Sequence, residues 1–397
     1  MMEVDRAPRV ALVILALAMG AFAIGTAEFA AMSLVPFFAR DLGLTEPQAG
    51  HAISAYALGV VVGAPVIAVL SARIARRPLL MGLMGLFAIG NGLSAFADSY
   101  GVLLACRFLA GLPHGAYFGI AALVAASQVA PERRAQSVAW VMTGLTLATV
   151  IGVPAANALG QVLGWRSGFA IVAALALLTV VLVFLFAPHQ SADRDASPMR
   201  ELGAMRRPQV VLTLLVGAIG FGGLFCVYTY VASTLIQVTG VREATVPLVL
   251  AVFGAGMTAG NLFWAWLGDR IGTRSAVIAL AFSAGACALF PMAASNLWAL
   301  IPVVAAIGFS GGWGTVLQAR LMTVAGDAQA LAAAAHHSAF NFANALGPWL
   351  GGLAIGAGWG LPATGWIGTA LSLAGLVVLL LTLALYQRQR TEVALTA

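Results

Sequence analysis

The chain has 397 residues, of which 61% are hydrophobic and 9% charged, with a mean hydropathy of +0.97. This is more apolar surface than a soluble domain buries, so the composition excludes a soluble globular protein and predicts an all-α polytopic membrane protein. The formal charge of +6 would fit a nucleic-acid partner in a soluble chain, but the twenty basic residues are all arginine and lie, with one exception, in loops and tails rather than on one basic face; nucleic acid is therefore not expected.

Twelve apolar segments of spanning length are predicted, at 10–37, 49–71, 78–97, 101–126, 136–160, 167–187, 210–236, 246–268, 275–295, 297–319, 330–356 and 362–386. Each meets the requirement of about 20 residues for a helical span. On the side shared by both termini lie Arg6, Arg9, Arg73, Arg76, Arg77, Arg133, Arg134, Arg194, Arg200, Arg206, Arg207, Arg270, Arg274, Arg320, Arg388 and Arg390, against Arg40, Arg166 and Arg242 on the other. The asymmetry predicts both termini in the cytoplasm.

The first segment has the basic flank of a signal peptide, Arg6 and Arg9, but its apolar run continues to Phe38 and the charge asymmetry needs all twelve spans, so no cleavage is expected. Glu28 is the single carboxylate of fourteen inside a long apolar run. An ionised side chain near a bilayer centre costs roughly 2.5–3.5 kcal/mol, so it normally faces a cavity or a partner. Glu28 is accordingly the first candidate for proton coupling; the alternative is a carboxylate that bonds a neighbouring helix.

Arg107 is the one basic residue within a span. Counted from the outer ends of their spans, Glu28 and Arg107 differ in depth by only about 5 Å at ~1.5 Å rise per residue, so they could share a layer. A direct or water-bridged pair would hold Glu28 ionised; the alternative for Arg107 is bonding to backbone carbonyls. His114 follows seven residues later, an angular offset of roughly 20°, about 10 Å deeper on the same stripe, and serves either as a proton relay or as a hydrogen-bond partner. His336 and His337 diverge by ~100° on a helix and do not suit a metal pair, and the three cysteines have no ligand spacing, so no metal is expected.

An offset of 197 residues superposes Gly59 on Gly256, Gly63 on Gly260, Arg73 on Arg270, Arg77 on Arg274, Gly111 on Gly308 and Gly115 on Gly312. The repeat predicts two pseudo-symmetric six-helix bundles, 1–187 and 210–397, joined by a polar cytoplasmic linker at 188–209, with the substrate site between them. Small residues at four-residue spacing recur as Gly59 and Gly63 in span two, Gly144, Ala148, Gly152, Ala156 and Gly160 in span five with Pro154 beside Gly152, Gly256 and Gly260 in span eight, and Gly347 with Gly351 in span eleven. Such ladders let helices approach closely, either as static packing or as sliding surfaces, and proline beside glycine permits a bend.

In these features the chain resembles the major facilitator superfamily over essentially its whole length. Gly268-Asp269-Arg270-Ile271-Gly272-Thr273-Arg274 is similar to that superfamily's cytoplasmic signature. The first-half copy, with Arg73, Arg76 and Arg77, has Ala72 where the pattern expects aspartate and Ala75 where it expects glycine. Arg107-x-x-x-Gly111-x-x-x-Gly115 resembles the buried-arginine motif, the span-five ladder a degenerate antiporter motif, and Gly347-Pro348-Trp349-Leu350-Gly351-Gly352 its glycine-proline core in the opposite half. With Gly-Thr-Ala-Glu-Phe in span one and His337-Ser338-Ala339-Phe340-Asn341, the chain looks closest to the twelve-span drug and sugar:proton antiporters of the arabinose-efflux-permease-like branch.

The resemblance implies contact between the halves through spans two, five, eight and eleven, and a proton-coupled exporter of a small organic solute in the bacterial inner membrane. The proton gradient would be its energy source, with no cofactor, and it would act as a monomer. Tyr117, Tyr228, Tyr230, Trp313, Gln318, Asn341 and Asn344 are the substrate-contact candidates in spans that line the family cavity; aromatic faces with a few amides suit a sugar or a flat amphipathic drug. Symport or facilitated uptake is the alternative, since the architecture does not encode direction, and a membrane sensor is a more distant one. No nucleotide loop or nucleophile constellation points to an enzyme.

Overall fold

A computed structural model of the chain describes residues 6–71, 73–189, 207–326 and 329–396. Most of the expected linker, together with Ala72, Arg194, Arg200 and Arg206, lies outside the described residues. Those described are helical, and eleven helical segments are long and apolar enough to cross a membrane. The segment expected as span eleven forms a helix of 26 residues, Gln329–Ala354, long enough to cross but more polar than the others. Its polarity comes from His336, His337, Ser338, Asn341 and Asn344, most of which face the protein interior.

The spans are unbroken at two (Glu46–Ser71), three (Arg76–Ala95), six (Trp165–Phe186), eight (Val246–Ile271), nine (Arg274–Ala293) and twelve (Ala363–Thr396). Spans one, four, seven and ten are each interrupted. Span one, Arg6–Ser33, is followed by a short helix Val35–Asp41 with Pro36 in its first turn. Span four is Tyr100–Gly111 followed by His114–Ser127, and Pro113, which has no N–H to donate, sits at the break. Span seven is Pro208–Gly220 and Gly222–Gln237; span ten is Leu297–Ser310 and Gly314–Ala325 with a 3₁₀ turn at Gly311–Trp313. Span five, Arg134–Leu147 and Val153–Leu163, carries a π turn at Ala148–Gly152, separated from Pro154 by Val153 alone. The bend expected from Gly152 and Pro154 takes this form, a wide turn that absorbs the missing helical hydrogen bond.

The 197-residue repeat is visible in the packing. A methyl group on Gly59 would collide with the Phe108 carbonyl and one on Gly63 with that of Leu112; in the second half Gly256 meets Ala305 and Gly260 meets Phe309. Glycine and carbonyl positions obey the same offset, so spans two and four cross in the first half as spans eight and ten do in the second. These glycines pack within each half, which corrects the expectation that the ladders line the contact between halves. Gly144 lies on the Ala18 carbonyl of span one, Gly152 on Thr26 and Phe22, Gly347 on the Gly222 carbonyl and Cys226 N, and Gly351 on the Cys226 thiol. Without a hydrophobic drive to associate in lipid, helices gain by backbone approach, and the ladders supply it inside each bundle.

The halves do meet through spans two with eleven and five with eight. Glycines sit at both contacts: Gly352 of span eleven lies on Pro47 of span two, and Gly254 of span eight faces the Thr149 carbonyl in the π turn of span five. The signature loop after span eight closes on Gly272, at φ 61°, a left-handed conformation that glycine adopts without strain. Ala75 in the first copy is instead extended, at φ −59° and ψ 138°, so the departure from the pattern accompanies a different turn. Arg73, Asp269, Arg270 and Arg274 are exposed around these turns, with Arg270 over the Trp266 ring at 4.1 Å. Arg77 donates to the Phe184 carbonyl and so ties span three to the end of span six.

Candidate functional site

Glu28 is 3% exposed on span one, where the helix meets the other half of the molecule. Its Oε1 accepts a 2.9 Å hydrogen bond from Asn344 Nδ2 of span eleven. Asn341, one turn earlier, donates to the His337 carbonyl of its own helix at 3.0 Å. The side-chain oxygens of both asparagines are buried without a partner. Acceptors left open in this way hold the capacity to bind a donor, since an unmade buried hydrogen bond costs about 1–3 kcal/mol.

Arg107 is 1% exposed in the same layer, but it makes no ion pair with Glu28. Its Nη1 donates to Asn91 Oδ1 at 3.0 Å, and its Nη2 reaches the carbonyl of Ala27, the neighbour of Glu28, at 3.5 Å. The guanidinium also lies 4.4 Å from the ring centroid of Tyr56 and 5.0 Å from that of Phe169. Arg107 is thus held by one amide, one carbonyl and two aromatic faces, and the shared depth expected from the sequence is realised through Ala27 rather than through the carboxylate. His114 Nδ1 is hydrogen-bonded to Tyr56 Oη at 2.8 Å, and the His114 ring packs on Phe118 at 5.3 Å. Phe118 in turn stacks on His337 of the other half, at 5.3 Å and an interplanar angle of 6°.

The remaining sequence candidates divide by surroundings. Tyr117 donates to the Leu17 carbonyl at 2.9 Å and Tyr230 to the Pro348 carbonyl at 2.9 Å, both within their own halves. Trp313 stacks on Phe221 at 3.9 Å, and Phe221 packs on Phe340. Tyr228 packs edge-on against Phe29 of the other half at 5.6 Å and on Phe253 at 4.1 Å. Gln318 is half-buried in the second part of span ten, away from the Glu28 contact in sequence and span. The structure therefore brings together Glu28, Asn344, Asn341 and Tyr228 at the contact between halves, and Arg107 with His114 around Tyr56; Tyr230 also reaches that contact, its hydroxyl lying on Gly50 of the first half, while Tyr117 and Trp313 are packed inside single bundles.

Several residues at the contact escape a reading of sequence. Ser54 donates to the Ala345 carbonyl across the halves at 2.9 Å. At the face remote from the termini, Glu46 accepts from Ser233 Oγ at 2.7 Å and Gln237 Nε2 at 2.6 Å. Arg40 pairs with Glu243 at 3.0 Å, and Gln161 donates to the Glu243 carbonyl at 2.8 Å. A cavity of about 350 Å³ lies beside this clasp, bounded by Arg40, Leu44 and Glu46 from one half and Ile236 and Gln237 from the other. Nearby, Asp41 accepts from Arg166 and Trp165, and these hydrogen bonds, Arg166 first, hold its carboxyl below the usual aspartate range. Buried amides in apolar spans, Asn91 above all, carried the same signal as Glu28; the clasp residues begin or end spans and carried none.

The sequence profile of the Major Facilitator Superfamily matches residues 17–242 and 226–395. The chain belongs to this superfamily. It is 38% identical over 393 residues to the inner membrane transport protein YdhP of Escherichia coli (strain K12), covering 95% of this chain and 97% of that one. It is 33% identical over 345 residues to a chloramphenicol resistance protein of Streptomyces lividans, covering 86% and 88%. The crystal structure of a bacterial homolog of the human lysosomal transporter Spinster shares its fold, with a TM-score of 0.68 at 18% identity over 96% of both chains. The superfamily's two-bundle architecture accounts for the repeat, and this member is a multi-pass membrane transporter.

Proposed function

We propose that this superfamily member is a proton-coupled exporter of a small organic solute, a drug or a sugar, working by alternating access as a monomer in a bacterial inner membrane with both termini in the cytoplasm. The observation that carries the reading is the hydrogen bond from Asn344 to Glu28, which joins a membrane-embedded carboxylate to the opposite half. When the halves rock apart, Glu28 loses this donor and meets a different set of partners. A carboxylate whose partners and solvation change binds its proton with a different affinity, so the same motion that moves solute exchanges a proton.

Arg107 fits a supporting role. Its charge lies beside Ala27, close enough to act on Glu28 electrostatically without neutralising it through a direct pair. The open amide oxygens of Asn341 and Asn344 and the aromatic faces of Tyr228 and Phe29 supply contacts for an amphipathic solute bearing hydrogen-bond donors. A relative named for chloramphenicol resistance supports efflux as the direction. Sixteen arginines on the side of the termini against three on the other support the orientation.

Reconstitution in liposomes tests this directly. With sugars, nucleosides and antibiotics as the panel and a pH gradient of either sign, one solute class should accumulate against its gradient only when protons flow the opposite way. Flux that ignores the gradient would reject proton coupling, and accumulation in the direction of proton flow would replace export by symport.

A further inference from the structure

The break in span four creates a mechanical difficulty for the coupling reading. Arg107 and His114 stand on separate helices, on either side of Leu112-Pro113, so helix rigidity does not fix one relative to the other. Tyr56 of span two bridges them. It is 1% exposed, its ring lies against the Arg107 guanidinium and its hydroxyl is bonded to His114 Nδ1. Its backbone carbonyl is also the atom on which Gly111 packs, so the last turn before the break rests on the same residue.

Span two also touches the other half. Ser54, two residues earlier, bonds the carbonyl of Ala345, the chain neighbour of the Asn344 that holds Glu28. Residues two apart point roughly 200° apart around a helix, so Ser54 faces span eleven while Tyr56 faces its own bundle. Asn91 closes the arrangement from span three: its Nδ2 is committed to the Phe87 carbonyl at 2.9 Å, which aims its Oδ1 at Arg107.

We propose that Tyr56 is a positioning residue of the coupling site, tying Arg107 and His114 to each other and, through span two, to the contact between the halves. This rests on the coupling reading above. The ionisable groups that face the unit are Glu28 from span one, Cys106 beside Arg107 on span four, and His337 with its neighbour His336 from span eleven. When Ser54 and Ala345 separate, span two moves relative to span eleven and carries the guanidinium and imidazole with it, so both part from Asn344 and His337 of the other half in step with opening while staying beside Glu28.

The test compares Tyr56→Phe and Tyr56→Leu in liposomes, reading gradient-driven flux from pH 5 to 9 and protons released per solute. Tyr56→Phe keeps the ring under Arg107 and removes the bond to His114; it should displace the pH profile, reduce proton release and lower gradient-driven flux by roughly fivefold, the effect of one lost hydrogen bond. Tyr56→Leu removes both contacts and should fall further, so that phenylalanine rescues leucine in part. His114→Phe breaks the same bond from the other end, and the double variant with Tyr56→Phe should be no worse than the more impaired single. A Tyr56→Phe protein with the wild-type pH profile and proton release would overturn the proposal, as would full additivity in the double variant. Glu28→Gln in the same assay judges the underlying reading separately: retained release there removes Glu28 from coupling, while the Tyr56→Phe result still decides the role of Tyr56.

Discussion

Asn344 donates to Glu28 at 2.9 Å, and the two residues belong to opposite halves of the molecule, 316 positions apart in the chain. This bond places the carboxylate of span one under the control of span eleven. It also gives the polar composition of span eleven a reason, because His337 and Asn344 on that helix face the first half rather than lipid. Polar groups within a span are costly unless they face protein, and here they make the contact between bundles.

Glu28→Gln keeps the size and hydrogen-bonding capacity of the side chain and fixes it neutral. Substrate-induced proton release in detergent should vanish across pH 5 to 9, while downhill solute exchange persists. Undiminished release from the folded variant would place the proton elsewhere, with His114 the next residue to examine.

Asn344→Ala removes the donor but leaves the carboxylate. A hydrogen bond of this kind contributes about 0.5–1.5 kcal/mol, so the balance between closed and open arrangements of the halves should move by roughly two- to tenfold toward opening. Reactivity of Ile236→Cys, in the cavity beside the clasp, toward an impermeant thiol reagent reads the change. Unaltered reactivity would mean that other contacts set the balance.

Gly254→Leu and Gly347→Leu separate contact between halves from packing within one. Leucine at Gly254 meets the Thr149 carbonyl and Val150 N of span five, so transport should fail while each bundle stays folded. Leucine at Gly347 meets the Gly222 carbonyl and Cys226 N inside the second bundle, so thermal stability in detergent should drop as well, by an overpacking cost of about 1–3 kcal/mol. Equal stability loss in both would remove the distinction.

The clasp at the face remote from the termini has one strong and one weak arm. Arg40 and Glu243 are 65% and 38% exposed, and a surface pair of this kind contributes about 0–1 kcal/mol. Glu46 is half-buried with two donors. Glu46→Gln should therefore raise the thiol reactivity at Ile236→Cys more than Glu243→Gln does, and added salt should weaken only the Arg40 arm. A larger effect at Glu243 would reverse the ranking.

Asp41 offers a pH test outside the spans. Its folded-state pKa lies below the ordinary value of 3.8, so the stabilisation from Arg166 and Trp165 is present above that value and is lost as pH falls below it. Asp41→Asn should abolish this acid limb of the melting profile. An unchanged limb in the variant would assign it to other carboxylates.

The sequence by itself determined the membrane class, the helical spans and the repeat, because each depends on local hydropathy or on spacing along one chain. Glu28 and Arg107 were legible for the same reason: an ionisable group in an apolar run stands out without any knowledge of its neighbours. Gly59, Gly63, Gly256 and Gly260 were legible as close-packing positions, but which helix each one meets depends on the arrangement of bundles, and the structure turned all four inward to their own half. Only the tertiary structure decided that Arg107 takes Asn91 and Tyr56 in place of Glu28, that Glu28 takes Asn344, and that Glu46 and Glu243 hold the two halves together. Hydrogen bonds need donor and acceptor within about 3 Å, and residues hundreds of positions apart reach that distance only when the whole bundle has packed.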